Sequence, residues 1–393
     1  MQELDFYQVL LNLPNLAITG VSYDTDRITL SCRISTKSEP CPHCGKLSSQ
    51  VNQYTLRKVR DLDISGRQVW LHVELRQLMC EDCNRYFTES LSFADSSKSY
   101  THRQAKWIFE CCRYQPFTAV GSMLNMNPKT VERIFYRLSH QGLDVPARYR
   151  GVKRLGIDEL SHRKGKQDYC CVLTDLDRGQ IIDILPTRSK EAIRSHFQQL
   201  GQAFCQQIES VCFDMWSAYY HLSLELFPNA VHVVDRFHVV KLLNEVLDKF
   251  RRKLHRQLPN KPALKFIKWA LWKSNPSDRE RKQLELASAE NPMLEKLLTL
   301  RNEFNHYFGS AKNPTDLIEF LRQWIKKADE VPMLGAFVNT LIRWMKPIAN
   351  YAHQRLTNAA TEGLNNPIRY VKRIGFGIPN FKHMRARILA FNS

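Results

Sequence analysis

The sequence predicts a multidomain α/β protein: a small metal-stapled module, a three-helix segment, and a mixed sheet interrupted by a helical insertion. Three observations predict it. Two Cys-x2-Cys pairs, Cys41/Cys44 and Cys80/Cys83, stand near the start of the chain. A helical pattern with an Asn-Pro start signal fills much of 101–141. From Val152 onward, short apolar runs that end in acids alternate with helical patterns. The 393 residues, 43% hydrophobic and 10% aromatic, exclude wholesale disorder. At roughly 100–200 residues per domain, two to four domains are expected from length alone. The apolar runs fall far short of the ~18–20 residues of a membrane span, and the opening Met1–Asp5 is acidic, so a cytoplasmic location is expected. A net charge of +18, from 57 Lys+Arg against 39 Asp+Glu, points to a polyanionic partner, nucleic acid before a membrane surface.

The first expected domain is 1–92. A Cys-x2-Cys turn presents two thiolates to one tetrahedral zinc, and a second turn completes the shell. The 35 residues between Cys44 and Cys80 exceed the common ribbon spacing. A redox dithiol is the rival, but one pair would suffice for that. Cys41, Cys44, Cys80 and Cys83 are therefore expected to hold one structural Zn2+. Gly45 suits the positive φ of the knuckle, and Gln68–Leu78 alternates as a strand. Tyr86-Phe87 is expected to pack on the ribbon, and His43 to face solvent. The other seven cysteines are scattered, and most of them read as reduced core residues.

The second expected domain, 93–148, reads as a helix-turn-helix. Thr101 or Ser99 caps a first helix running to Arg113, Phe117–Leu124 forms a short second, and Asn127-Pro128 starts a third. Lys129, Arg133 and Arg137 then fall on the exposed side of the third helix, where DNA contacts occur. An ordinary three-helix bundle with a solvated basic face is the alternative.

The third expected domain, 149–245, gives the order strand, strand, strand, helix, strand, helix, strand. Asp177–Gly179 is the hairpin turn between its second and third strands. A meander followed by parallel βα units is the ribonuclease-H-like order. Strands one and four end in Asp158 and Asp214, so these acids should converge; two carboxylates side by side call for a divalent cation. Glu159 should point to the opposite face if its strand continues. An α-helical insertion is expected over 246–345. It includes Lys249–Lys273, with nine Lys/Arg and no acid, read equally as a solvated face or as a DNA-backbone track. The last expected domain, 346–393, carries Glu362 at the start of a helix; six Lys/Arg and no Asp or Glu follow it.

Together these elements resemble the DDE transposases of bacterial insertion sequences, specifically the ISL-three family. The resemblance rests on both Cys pairs, the helix-turn-helix, Gly156–Glu159, Phe213–Tyr219, Val234–His238 and Thr361–Asn366 with the basic tail, and it covers essentially the whole chain. It implies a catalytic triad of Asp158, Asp214 and Glu362, with 55 and 147 residues between successive members. It implies Mg2+ or Mn2+ at that triad, and an accessory Asp235/His238 pair. Asp235 is also the rival of Asp214 as second metal ligand. Double-stranded DNA is the implied partner, as terminal inverted repeats and as target, with a homodimer working near the nucleoid. Arg369, Lys372, Arg373 and Arg385 are the expected DNA-binding residues of the tail. A DNA-binding regulator with a non-catalytic core, and a ribonuclease-H-like nuclease without transposition, remain the alternatives at this point.

Overall fold

The computed structural model describes residues 3–142, 145–163, 168–257, 267–273, 276–289, 291–357 and 359–392. The chain divides into two compact units, 1–143 with 371–378, and 144–370 with 379–393. The first unit takes in the expected 1–92 segment, 93–143 of the second and 371–378 of the last, and the second unit takes in the rest.

The first unit is built on a five-stranded sheet. Helix α1 (Glu3–Leu11) leads into β1 (Leu16–Tyr23) and β2 (Arg27–Ile34). A two-stranded ribbon follows, β3 (Glu39–Pro40) and β4 (Leu47–Ser48), then the long pair β5 (Val51–Ile64) and β6 (Arg67–Cys80), and β7 (Arg85–Thr88). The sheet order is β1-β2-β6-β5, with β7 also on β6. Alternation in β6 buries Val69, Leu71, Val73 and Leu75 on one face, against Ile28, Leu30 and Val59. Period-two burial of β-branched and Leu residues is what the sequence pattern of this strand demands.

Three helices follow: α2 (His102–Tyr114), α3 (Phe117–Met123) and α4 (Pro128–Gly142). The Thr101 hydroxyl accepts from the Gln104 amide, so Thr101 rather than Ser99 is the N-cap. Asn127 Oδ1 accepts from the Lys129 amide at the start of α4. Gly121 lets α3 and α4 approach, since a Cβ there would lie 2.8 Å from the Met126 carbonyl oxygen. Phe109 and Phe135 stack 5.2 Å apart between α2 and α4. The bundle is tied to β5 by buried Asp61, which accepts from the Thr101 hydroxyl at 2.7 Å and pairs with Arg103. That tie explains why the bundle shares one unit with the expected 1–92 segment.

The second unit opens with α5 (Val145–Tyr149), then β8 (Arg154–Arg163), β9 (Asp168–Asp175) and β10 (Gln180–Leu185). Next come α6 (Lys190–Leu200), α7 (Gln202–Gln207), β11 (Ser210–Phe213), α8 (Ser217–Leu226), β12 (Val231–Val234) and α9 (Arg236–Gln257). The sheet order is β10-β9-β8-β11-β12. The first three strands are antiparallel, and β8, β11 and β12 run parallel. This is the mixed ribonuclease-H-like sheet that the element order predicts. One expectation needs correction: β8 does not end at Asp158 but continues to Arg163, because antiparallel pairing with β9 extends past the acid.

Helices α10 (Lys268–Trp272), α11 (Asp278–Ser288), α12 (Pro292–Ser310), α13 (Pro314–Ala328), α14 (Gly335–Ala349) and α15 (Tyr351–Gln354) form the helical region. The chain ends with α16 (Ala359–Ile374) and α17 (Phe381–Phe391). Phe304, Trp324 and Leu341 of the helical region join Ile157, Phe213 and Val239 in one continuous core. The basic run 249–273 divides accordingly. Arg251 is buried beside Asp248, whereas Trp269 is 68% exposed with Lys268 Nζ over its ring. Within that run, 258–266 lies outside the described residues. Among the described residues, no helix is long and apolar enough to cross a membrane.

Candidate functional site

Two groups of potential metal ligands emerge among the described residues. The first is Cys41, Cys44, Cys80 and Cys83, whose sulfurs all lie within 4.8 Å of one another. The β3–β4 ribbon carries one knuckle and the β6–β7 turn the other. Cys41 Sγ is 3.7 Å from Cys83 Sγ, and Cys44 Sγ is 3.5 Å from Cys80 Sγ. Tetrahedral zinc with bonds of about 2.3 Å sets its sulfurs about 3.8 Å apart, so the four thiols fit a structural Zn2+. Gly45 takes φ +76° where the knuckle closes. Burial pushes the Cys41 thiol up, but amide hydrogen bonds from His43 and Cys44 outweigh it and lower its pKa to about 7, toward the thiolate that zinc needs. Phe87 packs with Cys41, Leu78 and Cys80, as expected, but its neighbour Tyr86 faces solvent because β7 alternates. His43 is exposed, with Nδ1 3.3 Å from Arg85 Nη1. The seven scattered cysteines are free thiols, and all but Cys111 are buried.

The second group is Asp214, Asp235 and His238, again with ligand atoms within 4.8 Å of one another. Asp214 follows β11 and Asp235 follows β12, and the Asp235 amide donates to the Phe213 carbonyl at 3.0 Å. Parallel neighbours therefore end side by side. His238 sits in the first turn of α9, three residues past Asp235, with Nε2 2.8 Å from Asp214 Oδ1 and 3.9 Å from Asp235 Oδ2. Burial lowers the His238 pKa, yet the Asp214 hydrogen bond and the charges of Asp214, Asp235 and Asp158 outweigh it, and the net shift is upward. Thr357 steadies the group: its hydroxyl donates to Asp235 Oδ1 at 2.7 Å.

Asp158 stands in the adjacent register. Ile157 pairs with Phe213 across β8 and β11, so the next residues are Asp158 and Asp214. Asp158 is buried, and its charge reaches His238, but it is not part of the 4.8 Å set. Glu159 is half-buried and pairs with Arg188 at 2.5 Å. Burial raises the Glu159 pKa above the ordinary carboxylate value; Arg188 pulls it back, while the Asp214 charge adds to the rise. Glu159 is thus electrostatically joined to the acidic group even though it follows Asp158 along the strand. Arg188 in turn lies over the rings of Tyr169 (4.5 Å) and Trp216 (4.9 Å). Glu362 falls in the first turns of α16, and its side chain lies outside the described residues.

The expected DNA-binding cations separate into two kinds. Lys129, Arg133, Arg369 and Arg373 are exposed, and Lys372 is half-buried. Arg385 is half-buried and makes a two-pronged pair with buried Asp183, at 2.6 and 2.9 Å. Burial acts to lower its pKa, and the Asp183 carboxylate more than offsets that. Arg137 is likewise held by Asp95 at 2.8 Å and lies over the Tyr100 ring. Both corrections have one reason: an acid distant in sequence claims the guanidinium. Thr357 and Arg188 escaped the sequence reading. Thr357 stands five residues before Glu362, and that nearness was the available signal; nothing local marked Arg188.

The mixed five-stranded sheet is of the ribonuclease-H-like class, with an acidic cluster where its parallel strands end. A family model described as transposase, that of the ISL-three DDE enzymes, matches residues 155–388. A second, the zinc-finger of transposase IS204/IS1001/IS1096/IS1165, matches 37–83. The chain is 30% identical over 361 residues to the transposase for insertion sequence element IS1001 of Bordetella parapertussis, covering 89% of this chain and 88% of that one. It is 25% identical over 419 residues to the transposase for insertion sequence element IS1557 of Mycobacterium tuberculosis, covering 96% and 93%. The chain belongs to the ISL-three family of insertion-sequence transposases.

Proposed function

We propose that this DNA transposase cuts and joins the ends of its insertion sequence at a site formed by Asp158, Asp214 and Glu362, with Asp235 and His238 as accessory groups. The observation that carries the reading is the convergence of Asp214, Asp235 and His238 at the ends of adjacent parallel strands, with Asp158 in register beside them. Hard carboxylate oxygens in such a set suit Mg2+ or Mn2+. When bound, such ions supply charge stabilisation for an in-line phosphoryl displacement. Asp158 and Asp214, on neighbouring strands of a rigid sheet, would fix the ligand oxygens before DNA arrives. Asp235, clamped by the Thr357 hydroxyl, would hold a constant position between β12 and α9. His238 would orient Asp214 and could relay a proton at Nε2. Water would first attack the phosphodiester at the element's end, and the freed 3′-hydroxyl would then attack target DNA. No side chain need become covalently attached to DNA.

The zinc module and the α2–α4 bundle would select the terminal repeat, with Lys129 and Arg133 on the exposed side of α4. Arg369, Lys372 and Arg373 would hold phosphates of the bound DNA, and a homodimer would pair two ends. A strand-transfer assay on labelled end DNA with Mg2+ tests this. Nicking and joining, both lost in Asp158→Ala, Asp214→Ala and Glu362→Ala while end binding persists, are expected. Cleavage retained by Glu362→Ala would overturn the triad. Cutting without joining would leave a nuclease.

A further inference from the structure

The turn that ends α16 holds a phenylalanine out into solvent. Phe376 is 82% exposed, the highest value among the large hydrophobic side chains described. Its φ is +50°, in the left-handed region that disfavours a side chain. The Phe376 amide donates to the Arg373 carbonyl at 3.1 Å, and the Gly377 amide to the Lys372 carbonyl at 3.3 Å. These two bonds close a Schellman motif, whose left-handed position is ordinarily glycine. Gly375 cannot be replaced without displacing its surroundings, because a Cβ there would lie 2.6 Å from Ile378 Cγ1. Gly377 also adopts a positive φ, +79°. The turn is therefore fixed by its own backbone bonds and by the Gly375/Ile378 packing. It presents the ring; it is not a slack loop that happens to expose one.

Two local preferences are thus overridden at once. Glycine would suit the backbone better, and burial would suit the ring better. Strain of this kind points to a task outside the free chain. The setting indicates what that task is. Arg373 is exposed one turn before the ring, and residues 363–393 contain no Asp or Glu. An aromatic ring on a cationic stretch calls for a polyanion that also offers apolar faces, and the base stack of duplex DNA is such a surface. We propose that Phe376 is a wedge that inserts at a base step of the bound DNA while Lys372 and Arg373 hold the flanking phosphates. Apolar wedges of this type unstack one step and kink the duplex. The proposal rests on the reading that the chain works on insertion-sequence DNA.

The test uses the full-length protein and an end duplex carrying 2-aminopurine at one position at a time. The wild-type protein should raise the fluorescence at one step, and Phe376→Ala should cut that rise by about fivefold or more while still binding. Phe376→Gly should do the same with an unchanged or higher melting temperature, since glycine suits the turn; this separates the wedge from folding. Phe376→Trp should restore the signal. Arg373→Ala should weaken binding and flatten its salt dependence, yet keep the rise at saturation. Wild-type protein that binds the end without any rise would overturn the wedge and leave the DNA reading intact. Wild-type protein that fails to bind end DNA would overturn both. Phe376→Ala that leaves the signal unchanged, or that alters the oligomeric state of the DNA-free protein, would show the ring to serve something else.

Discussion

The four-cysteine cluster and the acidic cluster are both groups of metal-type ligands, and they are built in opposite ways. Each cysteine pair comes from one tight turn, so half of the site is formed by four consecutive residues of backbone. Cys41 and Cys80 are almost fully buried, and four thiolates leave no open coordination position. Asp158 lies in β8, whereas Asp214 and Asp235 directly follow β11 and β12, and their like charges oppose one another. The first cluster should hold its module together. The second must be held together by the sheet. A metal that closes a shell is part of the fold, whereas ligands that leave positions open depend on a fold already made.

The largest effect should follow from breaking the closed cluster. Structural zinc contributes on the order of 10 kcal/mol to the folding of small modules. Cys80→Ser, or a strong chelator, should abolish zinc content by metal analysis and remove the cooperative melting of the first unit. Retention of zinc and of that transition would deny the cluster its structural role. Asp214→Asn should do the reverse. Zinc content and melting temperature should stay the same or rise slightly, because one of several repelling charges is gone. DNA cleavage should fall by on the order of a thousandfold, equivalent to about 4 kcal/mol in the barrier. A variant that lost stability along with cleavage would erase the contrast.

This contrast also explains what could be read from sequence. Knuckles, caps and the succession of strands and helices are local properties, so the Cys pairs, the Asn127 cap and the run of three strands followed by βα units were legible in short windows. The neighbouring positions of Asp158 and Asp214 were legible too, because the pairing of β8 with β11 sets Ile157 opposite Phe213 just before them. What was not legible was which cations are paired within the fold. Arg385 belongs to a basic tail, but its partner Asp183 lies 202 residues earlier. Arg137 belongs to a basic helix face, but Asp95 stands 42 residues away. Composition reports charge and cannot report its pairing.

Asp183 sharpens the comparison because it is a buried acid of the same sheet with a structural task. Both its oxygens meet Arg385, and Oδ1 also accepts from the Ile184 amide at 2.6 Å. Removing one partner of a buried pair costs about 3–5 kcal/mol, so Asp183→Asn should lower stability by that order in denaturant titration. Asp214→Asn should not. Equal stability of the two variants would mean that the sheet does not distinguish its acids. Smaller again is Thr357→Val, which removes the hydroxyl that clamps Asp235. Loss of one hydrogen bond to a buried carboxylate is worth about 1–3 kcal/mol. It should appear as a slower cleavage rate and a higher Mg2+ requirement, with zinc content unchanged; an effect on end binding instead would move Thr357 out of the acidic site.

The smallest effect expected separates the two kinds of cation. Arg133 is exposed on α4, and its hydrogen bonds go to its own helix, to the Lys129 carbonyl at 3.3 Å and the Thr130 hydroxyl at 3.2 Å. Exposed charges of this kind add little to stability, about 0–1 kcal/mol, so Arg133→Ala should melt like the parent protein. If it meets a phosphate, its loss should weaken end binding and reduce the slope of log affinity against log salt by about one. Arg385→Ala should give the converse, a destabilised protein whose folded fraction keeps the parental salt slope, because that guanidinium is spent on Asp183. A reduced slope for Arg385→Ala, or an unchanged one for Arg133→Ala, would return the tail and the helix face to the single basic surface that composition alone suggests.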